Sequence, residues 1–208
     1  MVDVSNDAKI TYVFHLGAKI GKISVSRNIF SHPAKSVTKR AFHFCILSIF
    51  VIMNYKDIDI EERANQAVEH FKSGYNCAQS VLMAYADLFE MDLKTAARIA
   101  APFGGGMGRL REVCGTVTGM FMIVGLAVPS DNPNDMESKT RNYALVQKLA
   151  ERFREENGSI ICRELLALNV KQENPRPELR TEKYYKKRPC AKLVRFAATL
   201  IGEELKAL

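Results

Sequence analysis

Four cysteines, Cys77, Cys114, Cys162 and Cys190, each fall where local signals start a helix. The first N–H groups of a helix lack intrahelical partners and lie at the positive end of its dipole, so a thiol placed there ionises more readily than a free cysteine. The thiolate is the form that both disulfide exchange and metal ligation require. Asn76, a good N-cap, precedes Cys77, and Pro189, a residue favoured at the first helical position, precedes Cys190. Gly158-Ser159, a stop followed by a cap, lies just before Cys162, and the stretch Gly104-Gly105-Gly106-Met107-Gly108 lies upstream of Cys114. Cys77, with its cap, and Cys114, with Arg109 and Arg111 nearby, are the two expected to ionise most readily.

Three chemistries fit this pattern. In the first, two of the thiols form a reversible disulfide, with Arg109, Arg111, Arg163, Lys187 or Arg188 holding the thiolate. The absence of C-x-x-C argues against a thioredoxin fold without excluding the pairing. In the second, Cys77, Cys114, Cys162 and Cys190 ligate a metal, either zinc or an iron–sulfur cluster. Separations of 37, 48 and 28 residues are unlike the close pairs of zinc knuckles, so a cluster suits them better. The bare backbone at Gly104, Gly105 and Gly106, and again at Gly115, offers room and N–H donors to such a group. In the third, the cysteines are small buried hydrophobes. Covalent c-type haem is excluded because no C-x-x-C-H occurs.

The elements that position these residues read as helices. Ile60 to Phe71 is amphipathic and stops at Ser73-Gly74; Cys77 to Phe89 follows, and Asp92 caps Leu93 to Ala101. Glu112 to Val128, apolar almost all round, reads as a central buried helix whose Gly115 and Gly119 admit a close neighbour. A charged helix from about Asp135 to Glu156 ends at Asn157-Gly158, a short one spans Ile160 to Leu168, and Leu193 to Leu205 closes the chain. Residues 169 to 188 read as a polar, proline-containing connector or lid. The predicted fold is all-α, a single-domain bundle of about six to seven helices over residues 53 to 208.

Residues 1 to 52 differ in character. They hold seven Lys/Arg against two acids, and so account for five of the net charge of +7. The stretch from Ala41 to Ile52 is apolar but shorter than the about 20 residues a spanning helix needs. Met53 reads as a second beginning. The segment is therefore expected to be an atypical extension, either upstream of the native start or a membrane-associated arm, and no stable membrane span is expected. The nearly neutral remainder has no basic stripe, which argues against nucleic-acid binding. Five cysteines are too few and odd in number for a disulfide scaffold, so a reducing, cytoplasmic compartment is expected. Gly104 to Arg109 matches no phosphate-binding motif, and His70 lacks a Ser or Cys at an informative spacing.

The segments Tyr75-Asn76-Cys77-Ala78, Gly104-Gly105-Gly106, Cys114-Gly115-Thr116-Val117-Thr118-Gly119, Cys162 with Leu165-Leu166, and Cys190 together resemble the family named for its C_GCAxxG_C_C cysteine pattern. The resemblance covers nearly all of residues 53 to 208 and none of the extension. It implies a redox-active protein using the four cysteines, acting with a redox partner. Thr116 stands where the family's motif usually has Ala; its hydroxyl is expected to bond back to a helix carbonyl.

Overall fold

The computed structural model describes residues 10–16, 19–25 and 55–208. The chain divides into two compact units, Met1–Ile52 and Met53–Leu208. In the first, two strands rich in β-branched and aromatic residues, β1 (Ile10–Leu16) and β2 (Lys19–Val25), pair antiparallel with Ile10 opposite Val25 and Leu16 opposite Lys19. The apolar stretch 41–52 and Cys45 lie outside the described residues.

The second unit is helical throughout. It carries eight α-helices among the described residues: α1 (Ile60–Lys72), α2 (Cys77–Met83), α3 (Leu93–Ala100), α4 (Gly115–Ala127), α5 (Met136–Asn157), α6 (Cys162–Leu165), α7 (Glu182–Lys187) and α8 (Cys190–Ala207). Apart from α4, whose cap Cys114 makes no side-chain bond to it, each long helix starts on a side-chain cap or a rigid residue. Asp59 accepts from Glu62 N at 3.0 Å, Asp92 from Thr95 N at 3.0 Å and Asp135 from Ser138 N at 3.0 Å. Asn76 and Gln79 form a reciprocal capping box at the head of α2. Pro189 sits one residue earlier than its preferred place, at the cap of α8, and its carbonyl accepts from Leu193 N at 3.1 Å.

Helix α8 supplies the largest share of the buried core of any one helix, with Leu193, Val194, Ala197, Ala198, Ile201 and Leu205 among its buried residues. It lies against Ala64, Ala67 and Phe71 of α1 and against α4. The small face of α4 meets α2, where a Cβ at Gly119 would stand 2.8 Å from Ala78 O. No helix among the described residues is long and apolar enough to cross a membrane.

Several boundaries differ from the sequence reading, each for a tertiary reason. The run Cys77 to Phe89 breaks after Met83, because Arg63 Nη1 takes the Ala84 carbonyl at 2.8 Å; the chain resumes as a 3₁₀ turn, Ala86–Phe89. The central helix begins at Gly115 and not at Glu112, because Val113 bridges antiparallel to Ile161. Its last turns are half-buried at Phe121, Met122 and Leu126 instead of enclosed all round. The connector 169–188 contains α7, capped by Thr181.

The tightest long-range lock in the core joins Tyr85 to α8. The phenol donates to Ala198 O at 2.7 Å, and a Cβ at Gly202 would stand 2.5 Å from that same hydroxyl. Tyr85→Phe is expected to cost about 1 kcal/mol through the lost buried bond, and Gly202→Ala about 1–3 kcal/mol through overpacking. In the double variant the missing hydroxyl leaves room for the methyl, so denaturant unfolding should give a combined cost at least about 0.5 kcal/mol below the sum of the singles. Simple additivity would contradict the contact.

Candidate functional site

The glycine stretch is where the helical pattern gives way. Gly104–Met107 makes a single turn in which Gly105 (φ 66°) and Gly106 (φ 69°) are left-handed. Met107 (φ 63°), Gly108 (φ 64°), Arg109 (φ 71°) and Arg111 (φ 61°) continue in the same region. A non-glycine residue there costs about 1 kcal/mol or more, so the conformation of the two arginines must be held from outside. Glu173 does this. It accepts from Arg109 Nη2 at 2.6 Å and from Arg111 Nη2, while its own N–H bonds Arg109 O at 3.2 Å.

Beyond the turn, residues 112–114 run antiparallel to 160–162. Cys114 N donates to Ile160 O at 2.8 Å and Cys162 N to Glu112 O at 2.6 Å. This short ladder sets the starts of α4 and α6 side by side, with Cys114 as the cap of α4 and Cys162 as the first residue of α6. Two further elements bring the other thiols. Cys77 and Cys190 are the first residues of α2 and α8.

The four cysteines thus converge and line one cavity of about 50 Å³ together with Gly105, Gly106 and Gly115. All four are unbonded thiols. The backbone is packed against them without slack: a Cβ at Gly106 would lie 2.6 Å from Cys162 Cβ, and one at Gly115 3.0 Å from Cys77 Cβ. Gly104, the remaining glycine of the expected set, faces the Asn76 side chain instead, 2.4 Å from where its Cβ would be. Among the described residues, no group of three or more His, Cys, Asp or Glu side chains is arranged to hold a metal ion.

The electrostatics separate the four thiols. Cys77 and Cys190 line the same cavity, and their interaction, then burial, raises Cys77 well above the ordinary thiol range. The same interaction lowers Cys190 to about 7 against its own burial, with the guanidiniums of Arg188, Arg111 and Arg180 adding to the effect. Burial pushes Cys114 up to about 12, although the Thr116 hydroxyl, 3.2 Å from its sulfur, pulls the other way. Cys162 is also raised by burial, opposed by Arg111, whose Nη1 donates to its sulfur at 3.6 Å. The acidic thiol is therefore Cys190, correcting the expectation of Cys77 or Cys114. A helix dipole contributes at most about 2 kcal/mol, roughly one and a half pKa units, whereas burial moves a thiol by several.

Of the five cations expected to hold a thiolate, Arg111 and Arg188 line the cavity. Arg109 turns to Glu173, Arg163 pairs with Glu112 at 3.0 Å, and Lys187 lies on a neighbouring groove. Arg180 and Tyr184 line the cavity and went unread in the sequence, because residues 169 to 188 looked like a solvated connector. A basic residue in a Pro-bounded polar segment carries no signal of burial. Thr116 bonds the Cys114 sulfur rather than a carbonyl; Thr118 is the residue whose hydroxyl reaches back, to Gly115 O at 3.1 Å.

Gly106→Ala should destabilise the unit by about 2 kcal/mol or more, since it adds left-handed strain to a collision with Cys162 and the Arg111 backbone. Gly105→Ala, whose nearest neighbour is the flexible Arg109 side chain at 3.2 Å, should cost about 1 kcal/mol. Chemical denaturation of the two variants checks the order, and equal losses would count against this packing.

No curated protein and no solved structure matches the chain. Residues 75–204 match the family described as "Putative redox-active protein (C_GCAxxG_C_C)". That span takes in all four cysteines, the glycine turn and the cationic segment, and covers more than half of the sequence, so the chain belongs to the C_GCAxxG_C_C family.

Proposed function

We propose that the chain is a thiol–disulfide oxidoreductase in which Cys190 is the nucleophile and Cys77 the resolving thiol. The observation that carries this is that Cys77 and Cys190, the first residues of α2 and α8, line one cavity with Arg111, Arg180 and Arg188, whose charges favour a thiolate on Cys190 while Cys77 is held protonated. A Cys190 thiol lowered in this way carries more thiolate at neutral pH than a free cysteine, of which only a few per cent is ionised. The family's redox-active description agrees with this reading and is coarser than it.

The exchange balances without a metal. The Cys190 thiolate attacks one sulfur of a disulfide X–S–S–X, that S–S bond breaks, and X–S⁻ leaves. The Cys77 proton passes to the departing thiolate. The Cys77 thiolate then attacks the Cys190 sulfur and expels the second X–S⁻ as the Cys77–Cys190 bond forms. Two electrons move from the dithiol to the substrate, which leaves as one thiol and one thiolate, the latter taking a proton from solvent. In the reverse direction the same pair oxidises a dithiol. Arg111, Arg180 and Arg188 stabilise the charge on Cys190 before attack and on the leaving sulfur after it.

Two measurements test the proposal. Alkylation of Cys190 against pH should show a midpoint near 7, moved upward in Arg188→Gln and in Cys77→Ala; a midpoint at the free value of about 8.5 removes the nucleophile. Treating the reduced protein with a small disulfide should give a product lighter by two hydrogens, with Cys77 joined to Cys190 on peptide mapping. Cys77→Ser should halt at the mixed disulfide on Cys190, and Cys190→Ser should not react. A product that leaves both thiols free, or joins other cysteines first, overturns the assignment.

A further inference from the structure

A second cavity, of about 240 Å³, adjoins the cysteine cavity and shares Gly105, Arg111, Arg180, Tyr184 and Arg188 with it. Four guanidiniums, those of Arg109, Arg111, Arg180 and Arg188, form its wall, and Glu178 is the one acid lining it. Counting Glu173, which pairs with Arg109 and Arg111, four positive charges meet two negative ones. These are not solvated surface cations: the side chains of Arg111, Arg188 and Arg109 are 3%, 14% and 18% exposed.

Two of the four have unmet capacity. Arg111 Nε is buried with no hydrogen-bond partner among the protein's own groups, and such a donor in a folded protein is nearly always satisfied by protein, water or a bound group. Arg180 donates to the carbonyls of Phe71 at 2.7 Å and Tyr75 at 2.8 Å, neither of which neutralises its charge. Its guanidinium is also pinned over the Phe71 ring at 4.6 Å, so it is held in place before any ligand arrives.

We propose that this cavity binds the carboxylate of a small acidic disulfide or thiol and delivers its sulfur to Cys190. The proposal rests on the thiol-exchange reading and adds the substrate class to it. A planar carboxylate matches the guanidinium fork, offers acceptor oxygens to the arginines of the wall and cancels half of the surplus charge. The volume suits a small organic acid and not a folded partner. The exchange is the one given above, with X bearing the carboxylate: one S–S bond of the substrate breaks, the Cys77–Cys190 bond forms, and two electrons leave the protein.

Iodoacetate and iodoacetamide, which differ in the charge on an otherwise matched reagent, probe the pocket without knowledge of the natural substrate. Their rates at Cys190, read by site-resolved mass spectrometry at a pH where the thiolate is fully formed, give a ratio from which thiolate fraction cancels. A cleft of one sign raises counter-ion encounter by about 10-fold or more, so the acetate-to-acetamide ratio should exceed that of free cysteine by about that factor at low salt and shrink as salt is added. Arg109→Gln and Arg180→Gln should bring the ratio back toward that of free cysteine, any change in the thiol's own nucleophilicity cancelling between the two reagents. A ratio equal to that of free cysteine, or one unmoved by both substitutions, overturns the proposal. Titration of dithiodiglycolate into Cys190→Ser by calorimetry separates the two claims. Binding there that is lost in Arg180→Gln upholds the pocket even when Cys190 of the wild-type chain proves inert to both reagents, and absence of binding together with an ordinary rate ratio sinks the pocket while leaving thiol exchange standing.

Discussion

The buried guanidinium of Arg111 is the constraint around which the site is organised. Its backbone is left-handed, its side chain is 3% exposed, and its charge is met by Glu173 from the far segment of the chain. One nitrogen reaches the Cys162 sulfur, its positive charge is felt at Cys190, and its carbonyl accepts from Arg163 N at 3.2 Å. Removing it would leave Glu173 with Arg109 alone, take a donor from the Cys162 sulfur and loosen the turn that Glu173 holds. A single interaction thus joins the glycine turn, the short ladder beside it and the connector that closes over the cysteines.

The chemistry of the four thiols follows from a competition that helix ends alone do not decide. All four occupy helix starts, yet three are driven to hold their protons: the neighbouring Cys190 thiol and then burial act on Cys77, and desolvation of the thiolate outweighs the dipole at Cys114 and Cys162. The dipole is weakest where the helix is shortest, and α6 has only four residues. Cys190 escapes because a donor and three cations arrive from other segments: Cys77 from α2, Arg111 from the glycine turn, and Arg180 and Arg188 from the polar connector. Its acidity is a property of the tertiary structure.

That division explains what could be read from residues alone. The helix starts were legible since a cap is a local event: Asn76 with Gln79, Asp92, Asp135 and the stop at Gly158 each act within a few residues. The convergence of the cysteines and the close approach at Gly106 and Gly115 were legible in outline, because bare backbone beside a functional residue implies something near. What was hidden depends on partners far along the chain. Glu112 to Cys114 looked helical until Ile160 and Ile161 claimed them, and Arg180 looked solvated although it bonds carbonyls more than 100 residues away. The helix α7 was missed for the same reason, since its polar faces gave no periodic signal.

The placement of Cys77 near the beginning of the helical unit and Cys190 near its end has a consequence for chain entropy. A covalent link between them would close a loop of more than 100 residues, enclosing α2 through α7. Such a loop restricts the unfolded ensemble by about 4–5 kcal/mol, which is comparable to the whole stability of many domains. Oxidation and folding are then thermodynamically linked: the folded state favours the bond to the same extent that the bond favours the folded state. The electron content of this pair and the resistance of the bundle to heat would rise and fall as one variable.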